Sequence, residues 1–368
     1  MPEANKALKD ELFNIETVSF LSKCIKNVYL PLDEDEFIND IISPFNNLEL
    51  KERIYWISKM IEKHLPDSYI TTVNILLSSL VGLDSEGMFA LAAYPDYVST
   101  NGCSEEHLVL SLNMLGEFTK WFSAEFAIRR FINEFPEATS NKMLEWSLSD
   151  NVHQRRLASE GLRPKLPWAK GIAIDYKIGA KPLSNLYFDD VRYVTRSVAN
   201  HLNDISKIDP KYVLSTLAKW KKTGKQNTKE MAYIISHSLR TLVKKGHLDT
   251  MEFLGYNTSP KIKVSNLEIE NPKITIGESI KFSFDILGKK TEQLIIDYKV
   301  IYPMARNKTS EKVFKIMKIE LKKDDKMTVS KKHPFRLMTT KKLYTGEYKL
   351  IIQINGSQYL EEKFYIVT

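Results

Sequence analysis

Two glutamates standing among cations and aromatic rings are the residues of this chain best suited to chemistry. Glu125 lies in the stretch Phe118-Thr119-Lys120-Trp121-Phe122-Ser123-Ala124-Glu125-Phe126-Ala127-Ile128-Arg129-Arg130-Phe131-Ile132. Read as one helix, this stretch puts Phe118, Trp121, Phe122, Ile128 and Ile132 on a common face and aims Glu125 into its middle. A carboxylate buried alone among aromatics costs several kcal/mol, so Glu125 needs a partner or a purpose. Arg129, four residues on, is the expected partner. Two readings stay open: an ion pair that locks two helices, or a carboxylate aimed at a positive charge that develops during a reaction.

The second glutamate, Glu160, sits in Asp150-Asn151-Val152-His153-Gln154-Arg155-Arg156-Leu157-Ala158-Ser159-Glu160-Gly161-Leu162-Arg163-Pro164-Lys165-Leu166-Pro167-Trp168. The pattern predicts a short helix capped by Ser149 or Asp150 and stopped by the proline pair, which presents Trp168. Leu157, Ala158 and Gly161 form its core side. Arg155, Arg156, Ser159 and Glu160 are expected on the other side, with Arg156 and Glu160 paired at i, i+4. Cations, a carboxylate and a large ring near one helix end suit a polyanion carrying one cationic ring. A bland surface ion pair beside a core tryptophan is the alternative. A third helix, Asp190–Lys207, carries Val191, Val194, Val198, Leu202 and Ile205 as an apolar stripe. Arg192, Arg196, Asn200 and Asn203 are expected along its opposite side, a spacing that suits successive phosphates. His201 reads as a hydrogen-bonded helix residue.

These motifs need a scaffold, and residues 8 to about 255 supply an all-α one. Segments such as Ile54-Tyr55-x-Ile57-x-x-Met60-Ile61 repeat with a period near 3.6, and helix pairs recur loosely, as in helical repeat arrays. From Gly255 the texture changes to short alternating segments: 274–276, 280–284, 294–300, 348–354 and 362–367. Turn signals such as Asn355-Gly356 separate them, and about seven strands over this length predict an immunoglobulin-like β-sandwich. The expected domains are therefore residues 1–256, a HEAT-like helical repeat, and 262–368, the sandwich.

Charge is unevenly divided. Residues 1–117 hold 8 Lys and Arg against 19 Asp and Glu, whereas 118–260 hold 23 against 14 and 261–368 hold 22 against 13. Two basic stretches attract polyanions, chiefly nucleic acid. Cys24 and Cys103, the two cysteines of the chain, lie far apart, which points to a reducing cytoplasm and no disulfide framework. The seven histidines have no metal-ligand spacing, so neither metal nor other cofactor is expected. No apolar run is long enough to span a bilayer, and the first residues lack a signal-peptide pattern.

The motifs S-A-E-F-A-I-R (123–129), H-Q-R-R-L-A-S-E-G-L-R-P-K-L-P-W-A (153–169) and V-A-N-H-L-N-D-I-S-K (198–207) resemble the AlkC branch of the helical-repeat DNA alkylation repair glycosylases, relatives of the AlkD type. Met338–Gly346 resembles a basic loop of that family's C-terminal domain, and Arg130 stands where the family often has proline. The resemblance covers nearly the whole chain. It implies a monomeric, nucleoid-associated enzyme that excises 3-methyladenine and 3-methylcytosine from duplex DNA. Glu125 and Glu160 become the candidate catalytic carboxylates, with Asp204 in support. Trp168, Phe126 and Trp121 become candidate contacts to the cationic base. Arg129, Arg155, Arg156, Arg163, Arg192, Arg196, Asn200, Asn203 and Lys207 become DNA contacts. From the sandwich, Arg336, Lys341, Lys342 and the 331–336 loop would close on the duplex. Two rival readings are a helical-repeat DNA-binding protein without activity and a protein-interaction solenoid whose basic groove binds acidic peptide.

Overall fold

The computed structural model describes residues 7–83, 88–336 and 342–367. Its helical part runs α1 (Leu8–Leu12), α2 (Ile15–Lys26), α3 (Glu34–Ile42), α4 (Leu50–His64), α5 (Tyr69–Ser78), α6 (Ala93–Asn101), α7 (Leu108–Phe118), α8 (Ile128–Glu134), α9 (Pro136–Trp146) and α10 (Val152–Glu160). It continues with α11 (Tyr176–Gly179), α12 (Leu183–Leu186), α13 (Arg192–Ile205), α14 (Pro210–Thr223), α15 (Thr228–Ser238), α16 (Arg240–Lys244) and α17 (Leu248–Phe253). Helices pack on near neighbours in the chain: α2 on α3, α3 on α4, α4 on α6, α6 on α7, α9 on α10, α10 on α13, and α13 on α15. Local capping starts many of them. Asn14 accepts from the backbone N–H groups of Glu16 and Thr17, and the Thr17 hydroxyl accepts from the Asn14 N–H, which closes a capping box before α2. Among the described residues, no helix is long and apolar enough to cross a membrane.

The chain divides into two compact units, Met1–Ile208 with Leu217–Ser238, and Asp209–Thr216 with Leu239–Thr368. By compactness, α16 and α17 thus group with the strands, a division that falls earlier in the chain than the change of sequence texture near Gly255. In the second unit, eight strands among the described residues form two sheets. β1 (Ile262–Ile269), β3 (Ser279–Gly288) and β6 (Lys326–Pro334) make a three-stranded sheet in the order β1-β3-β6. β2 (Lys273–Thr275), β4 (Glu292–Pro303), β5 (Thr309–Leu321), β7 (Gly346–Ile354) and β8 (Ser357–Val367) make the other, in the order β2-β8-β7-β4-β5. Among the described residues, only the β2–β8 pair is parallel. Inward residues Ile280, Phe282, Phe284 and Ile286 alternate along β3 and meet Tyr298, Leu350 and Phe364 in the core. The turn at Asn355-Gly356 docks on the segment after α16. Its Asn355 amide donates to the Asn257 and Gln293 carbonyls. Gly246 and Gly356 face each other with positive φ, and a Cβ on Gly246 would lie 2.5 Å from the Gly356 oxygen.

Three local readings of the sequence are corrected. Residues 118–132 are not one helix: α7 ends at Phe118 and α8 begins at Ile128. Thr119 and Ser123 hydroxyls accept from the N–H groups of Ala124 and Glu125, an alternative to the helical ladder that turns the chain and leaves Trp121, Phe122 and Glu125 in a connection. The cap of α10 is Asn151, whose side chain accepts from His153 and Gln154, rather than Ser149 or Asp150. That helix stops at Glu160, ahead of the prolines, where Gly161 presses so closely on α8 and α9 that a Cβ would meet Met143 at 2.6 Å and Ile128 at 2.8 Å. Finally, Lys331–Pro334 is strand, not loop: it closes β6 in register with β3, and Phe335 follows into the core.

Candidate active site

The connection 119–127, helix α10 and the segment after it bring the first two motifs together. Glu125 is held by Arg156, whose Nη1 donates to its Oε2, and by the Ser123 hydroxyl at 3.0 Å. Arg156 reaches on to Glu160, at 3.7 Å, and stacks over the Tyr193 ring, 5.2 Å from its centroid. One guanidinium therefore bridges both candidate carboxylates, and the expected i, i+4 pair within α10 is part of that bridge. The expected Glu125–Arg129 pair does not form. Arg129 instead donates to the carbonyls of Lys170, Gly161 and Arg163 at 2.7–3.0 Å, tying down the chain that leads to and from Trp168. Burial and the nearby Arg163 charge push the Arg129 guanidinium down to about 10.

The two carboxylates are not equivalent. Glu160 is buried, not exposed, and so is Ser159 beside it. Burial alone would raise the Glu160 carboxyl. The Arg156 and Arg163 charges and the Ser197 hydroxyl outweigh it and hold the group below the usual carboxylate range. Arg163 donates to Glu160 at 2.5 Å and to Asp204 at 2.9 Å, and Lys207 completes the row on Asp204 at 2.9 Å. Glu125 is the more accessible carboxylate, its side chain 17% exposed against 6% for Glu160.

Of the three aromatic candidates, two share a cavity of about 410 Å³ and one does not. Phe126 and Trp168 line it, together with Phe122 and Phe89; Trp121 lies outside its lining. Trp168 is 81% exposed and adopts φ of 60°, a left-handed conformation that costs a bulky residue on the order of 1–3 kcal/mol. It is no core tryptophan. Lys51, at the start of α4, fixes this geometry: its ammonium donates to the Trp168 carbonyl and sits 4.3 Å from the centroid of Phe126. Burial lowers the Lys51 ammonium, against the pull of Glu125. Sequence reasoning missed Lys51, since nothing near it in the chain marks it.

The remaining cations fall into two groups. Arg129, Arg163 and Asn203, expected as DNA contacts, are buried, because their polar ends serve carbonyls and carboxylates or lie inside the fold. Asp204 is buried as well, with Arg163 and Lys207 on it. Arg155 is half-buried on Asp189 at 2.6 Å, and Asn200 lies 2.9 Å from the His237 ring nitrogen. Arg192 pairs with Glu230 over the Tyr233 ring, while Arg196 and Lys207 are exposed. Arg130 reaches the carbonyls of Ser99 and Thr100. The stripe on α13 holds at Val194, Val198, Leu202 and Ile205, and Val191 is left half outside. His201 is fully buried with Nδ1 2.9 Å from the Ser159 carbonyl, as its reading from sequence required. In the sandwich, Arg336 and Lys342 are exposed; Lys341 lies outside the described residues.

Three likenesses bear on this arrangement. Residues 263–368 match the family described as the uncharacterised protein YhaZ, C-terminal Ig-like domain. The chain is 33% identical over 351 residues to the uncharacterised protein YhaZ of Bacillus subtilis (strain 168), a match spanning 94% of this chain and 96% of that protein. It superposes with a TM-score of 0.89 and 31% identity on the solved structure of Pseudomonas fluorescens alkylpurine DNA glycosylase AlkC bound to DNA containing an abasic site analog, covering 98% of this chain and 100% of that one. The chain belongs to the AlkC-type family. Both of its architectures, the helical array and the immunoglobulin-like sandwich, are those of an AlkC-type protein. Within this AlkC-type chain, the bridged pair Glu125–Arg156–Glu160 is the feature in which paired carboxylates, cations and open aromatic rings coincide.

Proposed function

We propose that this AlkC-type chain is a DNA glycosylase of base excision repair that hydrolyses the N-glycosidic bond of cationic N3-alkylated bases, 3-methyladenine and 3-methylcytosine, in duplex DNA. The observation that carries the reading is the Glu125 carboxylate, partly open and braced by Arg156 and Ser123, one residue from the Phe126 ring. A base methylated at N3 is already a cation and needs no proton to leave. As the bond to C1′ breaks, its electron pair stays with the base and positive charge moves to the sugar. A fixed carboxylate stabilises that charge and orients the water that attacks it. Glu125 takes this direct part. Glu160, buried between two arginines, holds Arg156 and through it the orientation of Glu125. Trp168, exposed and tied at its backbone carbonyl by Lys51, offers its face to the cationic ring, a contact that contributes about 2 kcal/mol when desolvated.

Arg196 is an accessible phosphate ligand of the helical array, and Lys207, Arg192 and Arg155 join it by exchanging a carboxylate for a phosphate. The exposed Arg336 and Lys342 give the sandwich a share of the duplex. The AlkC structure bound to DNA containing an abasic site analog, so similar over its full length, supports DNA as the ligand. The test is mass spectrometry of the small molecules released when the purified protein meets methylated duplex DNA. Free 3-methyladenine and 3-methylcytosine are expected without added metal. Tight, salt-sensitive binding with no released base would favour the non-catalytic DNA-binding reading.

A further inference from the structure

Several lysines of the helical array stand three residues from a carboxylate that they pair with: Lys59 with Glu62, Lys120 with Glu117 and Lys142 with Glu145, at 2.6–2.7 Å. One stretch departs from this habit. From Pro210 to Lys229 the chain has six lysines and no Asp or Glu. Lys219, Lys221, Lys222, Lys225 and Lys229 gather at the end of α14, in the turn after it and in the first turn of α15, and all five are exposed. Lys219 and Lys222 stand one turn apart, where like charges repel. The helix dipole favours Lys221 and Lys222 at the end of α14 but disfavours Lys229 at the start of α15. Glu230, the next acid in the chain, is taken by Arg192, which donates to both of its oxygens, and by the Thr195 hydroxyl. Asp189, on the segment the turn packs against, is taken by Arg155. That segment leaves Asp190 exposed, so the charge beside the five cations stays positive.

We propose that the α14–α15 turn is a phosphate-binding surface for the duplex on one flank of the lesion, outside the residues that meet the damaged nucleotide. The proposal rests on the DNA reading above and extends it to contacts remote from the reacting sugar. The turn is built to hold its shape. Trp220 stacks on Tyr187 at 4.4 Å, and the Tyr187 and Thr223 hydroxyls lie 2.9 Å apart. Gln226 donates to the Tyr187 and Asp189 carbonyls at 3.2 and 3.0 Å, and Asn227 accepts from the Glu230 N–H at 2.8 Å. The Lys225 ammonium lies 5.2 Å from the centroid of the half-exposed Phe188 ring, which carries its aliphatic stem. Lysines on such a frame repel one another until an anion comes between them, and a row of phosphates relieves several repulsions at once. The surface adjoins the site through the first turn of α13. There Tyr193 takes the face of Arg156, and its neighbour Arg192 holds Glu230 beside Lys229. A strand gripped at Arg192 thus meets these lysines next.

The test is fluorescence anisotropy of the full-length protein on three duplexes that carry an abasic-site analog. One extends about a helical turn, roughly ten base pairs, to both sides, and the others keep only one flank or the other. The triple variant Lys222→Gln, Lys225→Gln, Lys229→Gln should lower the slope of log affinity against log salt by about 2–3 on the full duplex. The same loss is expected on one of the shortened duplexes and none on the other, while the melting temperature holds or rises. Arginine at the same three positions should restore the wild-type slope. An unchanged slope on the full duplex would overturn the surface, as would equal losses on the two shortened duplexes or an arginine variant that binds like the glutamine one. Wild-type binding to poly-glutamate as tight as to duplex of equal charge would assign the lysines to acidic protein and overturn it too. Base release by the wild type is measured in parallel. Release with no effect of the glutamines sinks this surface alone, and a flank-specific effect without release leaves the surface standing and sinks the glycosylase.

Discussion

The two basic stretches of this chain carry the same surplus of positive charge and place their arginines differently. In the helical array Arg129, Arg155, Arg156 and Arg163 turn inward, while lysines such as Lys219, Lys221, Lys222 and Lys225 stand exposed. Arg129 is spread over three carbonyls, Arg163 lies between Glu160 and Asp204, and Arg155 grips Asp189. In the sandwich the core is aliphatic and aromatic, and lysines such as Lys312, Lys315, Lys318 and Lys326 stand outside it. Formal charge is therefore a poor measure of what a region can offer a phosphate. In the array, four arginines build the site and the exposed lysines remain available to a ligand; in the sandwich, both arginines, Arg306 and Arg336, are exposed.

The sharpest way to break this comparison is through the two glutamates. Glu125→Gln should slow single-turnover base release by about 10²–10⁴-fold, with little change in duplex affinity or melting temperature. Glu160→Gln should also slow it, but with lost stability, because Arg163 and Arg156 lose a shared anion. Equal melting temperatures for the two variants would dissolve the distinction between an acting and a bracing carboxylate. Next is Arg163→Met, which leaves Glu160 and Asp204 buried without their main cation and should cost about 3–5 kcal/mol in urea unfolding. An exposed sandwich lysine such as Lys318, replaced likewise, should stay within about 0.5 kcal/mol.

Protonation provides a third contrast. Burial pushes the His201 imidazole down to about 4, amid Asp204, Arg163 and Glu160. Between about pH 6.5 and 4 the unfolded chain binds a proton that the folded array refuses, so stability falls by about 3 kcal/mol as pH drops through that window. Asp297, in β4, runs the other way. Its carboxyl is pushed up to about 6 by burial, against the charges of Lys315, Lys244 and Lys318. The folded sandwich then keeps a proton that the unfolded chain releases, and this contribution is lost as pH rises from about 4 to 6. All five tryptophans, at 56, 121, 146, 168 and 220, lie ahead of the sandwich, so their fluorescence follows the array while circular dichroism follows both. Acid should weaken the tryptophan-reported transition, and His201→Gln should flatten that response. The smallest effect belongs to the outer cations: Arg336→Ala with Lys342→Ala should reduce the slope of log affinity against log salt by about 1 for each phosphate these side chains neutralise. An unchanged slope would exclude these two residues from the DNA interface.

How much was legible in the chain depended on how local the determining interactions were. The change from helical to alternating periodicity marked both architectures, and β2, β3, β4, β7 and β8 could be read directly. β5 escaped because it is an edge strand with lysines at 312, 315 and 318, and a register shift at Ile296/Asp297 of its partner breaks the alternation. The glutamates were visible as misplaced charges, yet the partner of Glu125 lies 31 residues on, in α10, rather than one turn away. A helical wheel cannot supply that pairing, and it fails altogether where Thr119 and Ser123 bend the chain. Lys51 was silent for the same reason: it is an ordinary charge on an ordinary helix until the fold brings it to Phe126 and Trp168.

The tether on Trp168 has a mechanical consequence. The indole hangs in solvent, but the backbone beneath it is pinned by an ammonium 117 residues earlier in the chain. The ring is thus a lever whose fulcrum belongs to another helix. Small movements of α4 are transmitted to the backbone that carries the indole. Hydrogen exchange in the first turn of α4 is where engagement of that ring should be felt.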